Sequence, residues 1–354
     1  MRLGTVGVVA LLAMGLAACG GGQKAAPTLT RGSVPSTEAP TTTTTSAAPA
    51  AAPVTTPPPV RPTPTTRAAG STQRPSPPPA AKGRIAFSSN RTGKDQIWVM
   101  NSDGSSPTQL TTAGGGDPAI SPDGRRIAFG RSGHIFVMNA DGSGQTQLTS
   151  SDSTMGDSTP TWSPNGAKIA FDRHNSVAYF DIVVMNADGS GQTLLTSGGC
   201  DETPAWSPDG TRIAFAECGG QITIINADGS DRRALPTRCG TNPDWRPDGK
   251  QLVYINAAGF SGDPSSCPSP GGPYLVDAAG TGSPTAIPNT SDAYMYPTPA
   301  RWSPDGTQIA YDAQVGGTTS SPIVDIVVIK PDGSGKTHLT HASGTERDYV
   351  GSWR

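Results

Sequence analysis

The feature that most constrains the fold of this sequence is a phrase that occurs six times between residues 83 and 354. One copy runs T-P-A-W-S-P-D-G-T-R-I-A-F over Thr203–Phe215, and I-T-I-I-N-A-D-G-S follows it over Ile222–Ser230. Repeats that recur at about 40 to 60 residues are typical of propellers and solenoids. The sequence therefore predicts one structural unit built six times.

Each copy contains four short apolar or alternating runs separated by Asp-Gly, Asn-Gly or Gly-Ser turns. This pattern predicts a four-stranded antiparallel meander with strands A to D. Strand A ends at the tryptophan, B contains I-A-F, C contains V-M-N and D contains Q-L-T. One such sheet leaves two faces uncovered, whereas six sheets packed around an axis bury their inner faces. We predict an all-β, six-bladed β-propeller of four-stranded antiparallel blades over residues 83–354.

The phase of the repeat predicts how the ring closes. The propeller segment begins with strand B, at Arg84–Phe87, and ends with strand A, at Tyr349–Trp353. The C-terminal strand is therefore expected to pair with the N-terminal blade. The alternative is a C-terminus that frays.

The phrases P-x-W-S-P-D-G-x-x-I-A-F and I-x-V-M-N-A-D-G-S resemble the WD-like repeat of the TolB propeller family. The resemblance covers residues 83 to about 354 and implies a six-bladed fold that binds proteins. The α/β domain that precedes the propeller in TolB has no counterpart in the sequence. Similar propellers cap peptidases of the prolyl oligopeptidase type, but no segment resembles their hydrolase domain.

The N-terminus predicts export and anchoring. Arg2 precedes an apolar run over Leu3–Ala18, which is typical of a signal peptide over residues 1–18. The tetrad L-A-A-C resembles the bacterial lipobox, which implies that Cys19 is acylated. Residues 19–82 are rich in Thr, Pro and Ala and predict a disordered spacer. We expect a lipoprotein on the extracytoplasmic side of the cell membrane, with a plain secretory signal as the alternative.

The distribution of charge excludes one class of partner. Residues 83–354 contain 19 Lys and Arg residues against 27 Asp and Glu residues. Nucleic-acid binding requires clustered basic residues, so we expect no nucleic-acid partner. The sequence gives no reason to expect more than a monomer.

Four cysteines besides Cys19 predict disulfides, because exported domains oxidise their thiols. Cys200 and Cys239 occupy the same position in successive D-to-A loops, six residues before a strand-A tryptophan. Cys218 and Cys267 lie in the B-to-C loops that follow, and both loop types emerge on the same end of a propeller. We predict Cys200–Cys218 and Cys239–Cys267 disulfides; the alternative is four free thiols.

The search for chemistry gives one candidate site. The sequence contains no metal-ligand or nucleophile motif, so we predict no catalytic residue, metal or cofactor. Acidic residues do recur before strand A, where the D-to-A loops are expected to crowd the rim of the central channel. A ring of carboxylates there would suit a cation, an amine or a basic peptide, and the alternative is that each carboxylate caps backbone N–H groups. The candidates are Asp117, Asp157, Asp201, Glu202 and Asp348.

Two functions remain compatible with these observations. The first is a non-catalytic, lipid-anchored binding propeller for a protein or a cell-envelope polymer. The alternative is a single-domain propeller enzyme that processes glycans or peptides with carboxylates at the channel rim.

Overall fold

Six four-stranded sheets form a propeller in a computed structural model that describes residues 83–150, 156–176, 179–257, 271–293, 298–318 and 320–354. The described residues belong to one unit spanning Pro77–Arg354. The predicted signal peptide, the predicted acylation site Cys19 and the whole predicted spacer lie outside them. Within the described ranges, no helix is long and apolar enough to cross a membrane.

The strands of the described residues are, in chain order, β1 (Arg84–Ser89), β2 (Gln96–Asn101), β3 (Thr108–Gln109), β4 (Gly116–Ile120), β5 (Arg126–Arg131), β6 (His134–Asn139), β7 (Thr146–Gln147), β8 (Asp157–Trp162), β9 (Lys168–Ser176), β10 (Tyr179–Asn186), β11 (Thr193–Leu194), β12 (Glu202–Trp206), β13 (Arg212–Ala216), β14 (Ile222–Asn226), β15 (Arg233–Ala234), β16 (Gly240–Trp245), β17 (Gln251–Asn256), β18 (Gly272–Asp277), β19 (Thr285–Ala286), β20 (Arg301–Trp302), β21 (Ile309–Thr318), β22 (Ser321–Ile329), β23 (Thr337–His338) and β24 (Asp348–Trp353).

The strand order in each sheet confirms the predicted six-bladed propeller. Blade 1 is β24-β1-β2-β3, and the chain then forms blades 2 to 6 from consecutive groups of four strands, starting with β4–β7 and ending with β20–β23. Neighbouring strands within each blade are antiparallel. The innermost strands are β24, β4, β8, β12, β16 and β20, whose residues line the central channel.

Blade 1 confirms the predicted ring closure. β24 pairs antiparallel with β1, from Ile85 opposite Trp353 to Ser89 opposite Asp348. Val350 and Trp353 are almost fully buried. The last strand is therefore an integral part of the core rather than a frayed end.

The strand-A tryptophans join successive blades. The indole N–H of Trp162 donates to the carbonyl of Ala119 in the preceding blade at 3.0 Å, and Trp245 makes the same bond to Ala205 at 3.1 Å. The guanidinium of Arg126 in blade 2 also lies 4.6 Å from the centre of the Trp162 ring. These contacts repeat because the sequence repeats, and they assign both tryptophans to the blade interfaces.

The two ends of the propeller differ. One end, the turn face, carries the short A-to-B and C-to-D turns, such as residues 121–125 and 140–145. The other end, the loop face, carries the D-to-A and B-to-C loops, such as residues 110–115 and 217–221.

The predicted Cys200–Cys218 disulfide is confirmed on the loop face, with 5.1 Å between the Cα atoms. It joins the loop before β12 to the loop between β13 and β14, both in blade 4. Cys239 is also disulfide-bonded. Its predicted partner Cys267 lies outside the described residues, so that pairing stays a prediction.

Candidate functional site

Strained residues from neighbouring blades line the central channel. Asp117, Thr159, Thr203 and Asn242 each lie three residues before the end of an innermost strand, and each precedes a proline. Their φ angles lie between 46° and 55°. A residue before proline normally adopts an extended conformation, so this left-handed geometry is costly. Strain of this kind often marks functional sites, and the repeated x-Pro dipeptide in strand A was the available sequence signal.

The same four positions coincide with irregularities in the pairing of strands A and B. The register shifts between Gly116 and Ala119 in blade 2 and between Ser158 and Thr161 in blade 3. Bulges of this kind re-aim side chains. All four residues line the channel.

Two opposite charges from adjacent blades also line the channel. The Nε of Arg301 in blade 6 donates to the carbonyl of Gly351 at 2.7 Å, and the carboxylate of Asp244 in blade 5 accepts the backbone N–H of Trp302 at 2.8 Å. Burial lowers the pKa of Arg301 and raises the pKa of Asp244, while each group partly offsets the shift of the other. These opposite charges lie among the innermost strands.

The channel neck is narrow. Its cavity measures about 60 Å³. That volume suits a few water molecules or one small ion, whereas pockets for small organic ligands measure about 300 to 1,000 Å³. A sugar ring or a peptide segment therefore does not fit in the neck.

Three of the predicted rim carboxylates form ion pairs with arginines. Asp157, Asp201 and Asp348 are each at least 98% buried. Each binds one guanidinium through both carboxylate oxygens, and the distances lie between 2.7 and 3.1 Å. Their charges are therefore compensated inside the protein. The arginine partners, in the same order, are Arg173, Arg232 and Arg91.

The same arginines also contact aromatic rings of their own blades. The guanidinium carbon lies 5.3 Å from the Phe171 ring centre in blade 3, 5.0 Å from Phe215 in blade 4 and 4.8 Å from Trp98 in blade 1. An acid, an arginine and an aromatic ring thus recur as a unit. Sequence spacing from the tryptophan located the acids, but the arginines occupy different positions along the chain in each blade.

Asp117 and Glu202, the other two predicted rim residues, have no ion-pair partner among the described residues. Burial and the neighbouring Asp172 raise the pKa of Asp117 to about 6 and that of Glu202 to about 7. Asp117 remains accessible to water, although the surrounding protein disfavours its charge. The predicted ring is thus divided into three compensated acids and two uncompensated ones.

The charge of Asp172 acts on both of these carboxylates. Asp172 is 2% exposed and accepts hydrogen bonds from the hydroxyls of Ser158 and Thr159, at 2.6 and 2.7 Å, and from the backbone N–H of Thr203. These bonds fix the position of its carboxylate between blades 3 and 4. The charge in turn disfavours ionisation of both neighbours, in blades 2 and 4.

Two recesses open on the loop face. One of about 270 Å³ is lined by Cys200, Cys218, Glu202 and Phe180. The other, of about 460 Å³, lies among blades 1 to 3. Among the described residues, no group of three or more His, Cys, Asp or Glu side chains is placed to hold a metal ion.

Comparisons with known proteins agree with this architecture. A family model described as the TolB beta propeller domain matches residues 63–247, just over half of the chain. The structure of TolB from Acinetobacter baumannii is 20% identical, with a TM-score of 0.63, and the match covers 78% of this chain and 67% of that one. A candidate TolB from Agrobacterium tumefaciens is 18% identical, with a TM-score of 0.55 and coverage of 76% and 97%.

No curated protein sequence matches the chain significantly. The structural similarities lie below 25% identity and therefore concern the fold alone. The family match covers the repeats from β1 to β16, which form most of blades 1 to 4 and the first strand of blade 5. The chain belongs to the TolB β-propeller domain family.

Proposed function

We propose that this protein is a lipid-anchored, extracytoplasmic binding propeller whose loop face engages a protein or a cell-envelope polymer. Cys19 supplies the anchor, and residues 20–82 hold the propeller away from the membrane. The observation that carries the proposal is the bracing of the loop face by a disulfide and by three buried aspartate–arginine pairs. A surface fixed in advance loses less conformational freedom when it binds.

The narrow channel neck supports the same proposal. The neck is too small to admit a polymer, whereas the two recesses on the loop face have volumes of about 270 and 460 Å³. A large ligand would therefore contact the loops rather than thread the ring. Loops held on a rigid scaffold commonly carry recognition.

Site-specific photo-crosslinking in intact cells tests which face binds. A photoreactive side chain replaces Ser132 or Gln221, two exposed residues of the loop face. The matched control carries it at Thr281, which is exposed on the turn face. The proposal predicts the same crosslinked partner from both loop-face positions and none from Thr281. A partner captured mainly from Thr281 would assign binding to the turn face.

The anchor is tested separately. In the Cys19→Ser variant, acylation is abolished, and the protein should move from the membrane fraction to the soluble fraction of the cell envelope. The measurement is fractionation with intact-mass analysis of the mature chain. A membrane-bound Cys19→Ser protein would contradict the anchor.

A second candidate function is the processing of a glycan or a peptide by Asp117 or Glu202. It is favoured by their pKa values of about 6 and 7, because a carboxyl group that holds a proton near neutral pH can act as a general acid. Incubation of cell-envelope polymers with the wild type and with Asp117→Asn and Glu202→Gln variants tests it. Product formation that either variant abolishes would favour this function.

A further inference from the structure

Blades 2 and 3 each have an arginine at the same position of strand B, but the two arginines have different partners. Arg131 and Arg173 each lie two residues after the phenylalanine of the I-A-F strand. Each donates to a glutamine of its C-to-D turn, at 2.8 Å for Arg131 and 2.9 Å for Arg173. The Arg131 guanidinium lies 5.4 Å from the Phe129 ring centre, and that of Arg173 lies 5.3 Å from Phe171. The two arginines are therefore structural equivalents.

Only one of the two has a carboxylate partner. In blade 3, Asp157 stands directly opposite Arg173 in the strand register and binds it through both oxygens. In blade 2, Gly116 pairs with Gly130, which places Gly115 opposite Arg131. No described residue forms an ion pair with Arg131, and its bond to Gln145 leaves the other guanidinium nitrogens free to bind a carboxylate.

The chain cannot provide the missing carboxylate at this position. A Cβ atom on Gly115 would lie 2.9 Å from Ile97 and 3.1 Å from Phe129, and the φ angle of Gly115 is 156°. By contrast, a Cβ atom on Gly116 would meet nothing within 4 Å. Gly115 therefore leaves no room for an acidic side chain opposite Arg131, whereas Gly116 borders open space.

That space is part of the open recess of about 460 Å³ among blades 1 to 3, which Arg131 and Gly116 both line. Its lining includes Arg131, the glycines 114–116 and two exposed carboxylates, Asp95 and Asp117. Arg131 is half-buried and lies 4.0 Å from the Phe136 ring centre, so its guanidinium is held in place. Asp157 and His174 also line the recess, but Asp157 is paired with Arg173, so the described charged groups of the lining without an ion pair are one oriented cation and two acids.

We propose that this recess binds the free carboxylate of an amino acid or a short peptide. The ligand's carboxylate pairs with Arg131, as an aspartate pairs with an arginine in blades 1, 3 and 4. Guanidinium and carboxylate groups pair through two parallel hydrogen bonds. Asp95 and Asp117 receive the ammonium group of the same ligand. A polyanionic polymer fits less well, because both aspartates and the acidic excess of the propeller repel it.

The inference deepens the proposed function and rests on it only in taking the loop face as the binding face. The test uses the full chain and three probes: alanyl-alanine, its N-acetyl derivative and its C-terminal amide. Binding is measured by calorimetry. We expect alanyl-alanine to bind, and loss of the carboxylate charge in the amide to weaken binding about tenfold or more.

Three variants test which residues bind the dipeptide. Arg131→Gln should weaken alanyl-alanine binding about as much as amidation of the dipeptide weakens binding to the wild type. The Arg131→Gln variant should then bind the dipeptide and its amide equally. Asp95→Asn should weaken the dipeptide but not its N-acetyl derivative. Arg125→Gln, an exposed arginine on the turn face of the same blade, is the matched control and should bind like the wild type.

A further variant separates binding from folding. Gly116→Leu keeps Arg131 but fills the recess, so it should abolish dipeptide binding without lowering the melting temperature. Equal binding of the dipeptide and its amide, full binding by Arg131→Gln or Gly116→Leu, or no binding of alanyl-alanine would each overturn the inference. Because the probe is a pure dipeptide, these outcomes are independent of whether photo-crosslinking finds an envelope partner.

Discussion

The turn face and the loop face of the propeller are stabilised by contacts of very different range. On the turn face, Asp123 accepts the hydroxyl of Ser121 at 2.6 Å, and equivalent bonds recur in blades 4 and 6. On the loop face, Arg91 binds Asp348, 257 residues away. The first kind of contact follows from a short repeated phrase. The second kind varies between blades. Arg91 meets Asp348 only when β24 closes the ring, whereas Arg173 and Arg232 bind acids 16 and 31 residues away within their own blades.

The closing strand β24 supports both faces, and its removal should have the largest effect on the stability of the propeller. Deletion of Asp348–Arg354 removes β24 from blade 1, including the buried Val350 and Trp353 and the acid that binds Arg91. We expect loss of cooperative unfolding, because each buried large apolar side chain contributes about 1.5 to 3 kcal/mol. Thermal unfolding followed by circular dichroism measures the outcome.

Deletion of seven residues from the Thr/Pro-rich segment, 24–30, is the matched control for length. It should leave the melting temperature unchanged, because that segment precedes the blade repeats. A cooperative transition in the Asp348–Arg354 deletion would show that blade 1 is dispensable for the ring.

Removal of the Cys200–Cys218 disulfide should have the next largest effect on stability, and this effect should be confined to the loop face. Cys200 and Cys218 are separated by 18 residues, and crosslinks over loops of this size stabilise proteins by up to about 3 kcal/mol. The Cys200→Ser/Cys218→Ser double variant should therefore unfold at lower urea concentration. Amide hydrogen exchange should rise in the blade 4 loops but not in its Asp228 turn. A uniform rise across blade 4 would contradict a local role.

Loss of a buried ion pair should cost less than loss of the disulfide. In Asp201→Ala, Arg232 keeps its bond to Glu217 but loses two hydrogen bonds to a buried carboxylate. Breaking fully buried pairs costs about 3 to 5 kcal/mol. Because the Arg232 side chain is 41% exposed, we expect about 2 kcal/mol here, measured by urea unfolding.

The control for this comparison is Asp228→Asn on the turn face of the same blade. Asp228 accepts bonds from Ser230 within one exposed turn. It should lose much less stability than Asp201→Ala. Equal losses would mean that the turn face depends on its acids as strongly as the loop face does.

Sequence periodicity predicted what depends on repetition and missed what depends on tertiary contact. The six blades, the closure by β24 and the Cys200–Cys218 disulfide followed from spacing and phase. The partners of the rim acids did not. Arg173 faces Asp157 across one strand pair, whereas Arg232 reaches Asp201 from a C-to-D turn. A count of residues from the tryptophan cannot reveal such contacts.

Asp117 differs from three of the other predicted rim acids in its place on strand A. Asp157, Asp201 and Asp348 lie five residues before the end of the strand. Asp117 lies three residues before that end, on the strained residue before a proline. That placement puts it where the channel meets the loop-face recess, without an arginine bound to its carboxylate. The local D-P, T-P and N-P dipeptides carried this information in the sequence.

The uncompensated acids of the loop face should make stability depend on pH, which is the smallest effect we expect. The pKa of Glu202 rises from 4.5 in an open chain to about 7 in the folded protein, mainly through burial and then through Asp172. Between these two values the folded state holds a proton that the unfolded state has released. Stability should therefore fall as pH rises from 4.5 to 7, and not the reverse.

Because Glu202 is only partly buried, solvent screening limits this fall to about 1 kcal/mol. Urea unfolding at pH 5 and pH 7.5 measures it in the wild type, in Glu202→Gln and in Glu38→Gln, which removes a carboxyl outside the blades. Glu38→Gln should follow the wild type, whereas Glu202→Gln should show a smaller loss at high pH. If Glu202→Gln keeps the full dependence, the group responsible lies elsewhere. Asp117, with a pKa of about 6, is then the next to replace, because its titration has the same sign.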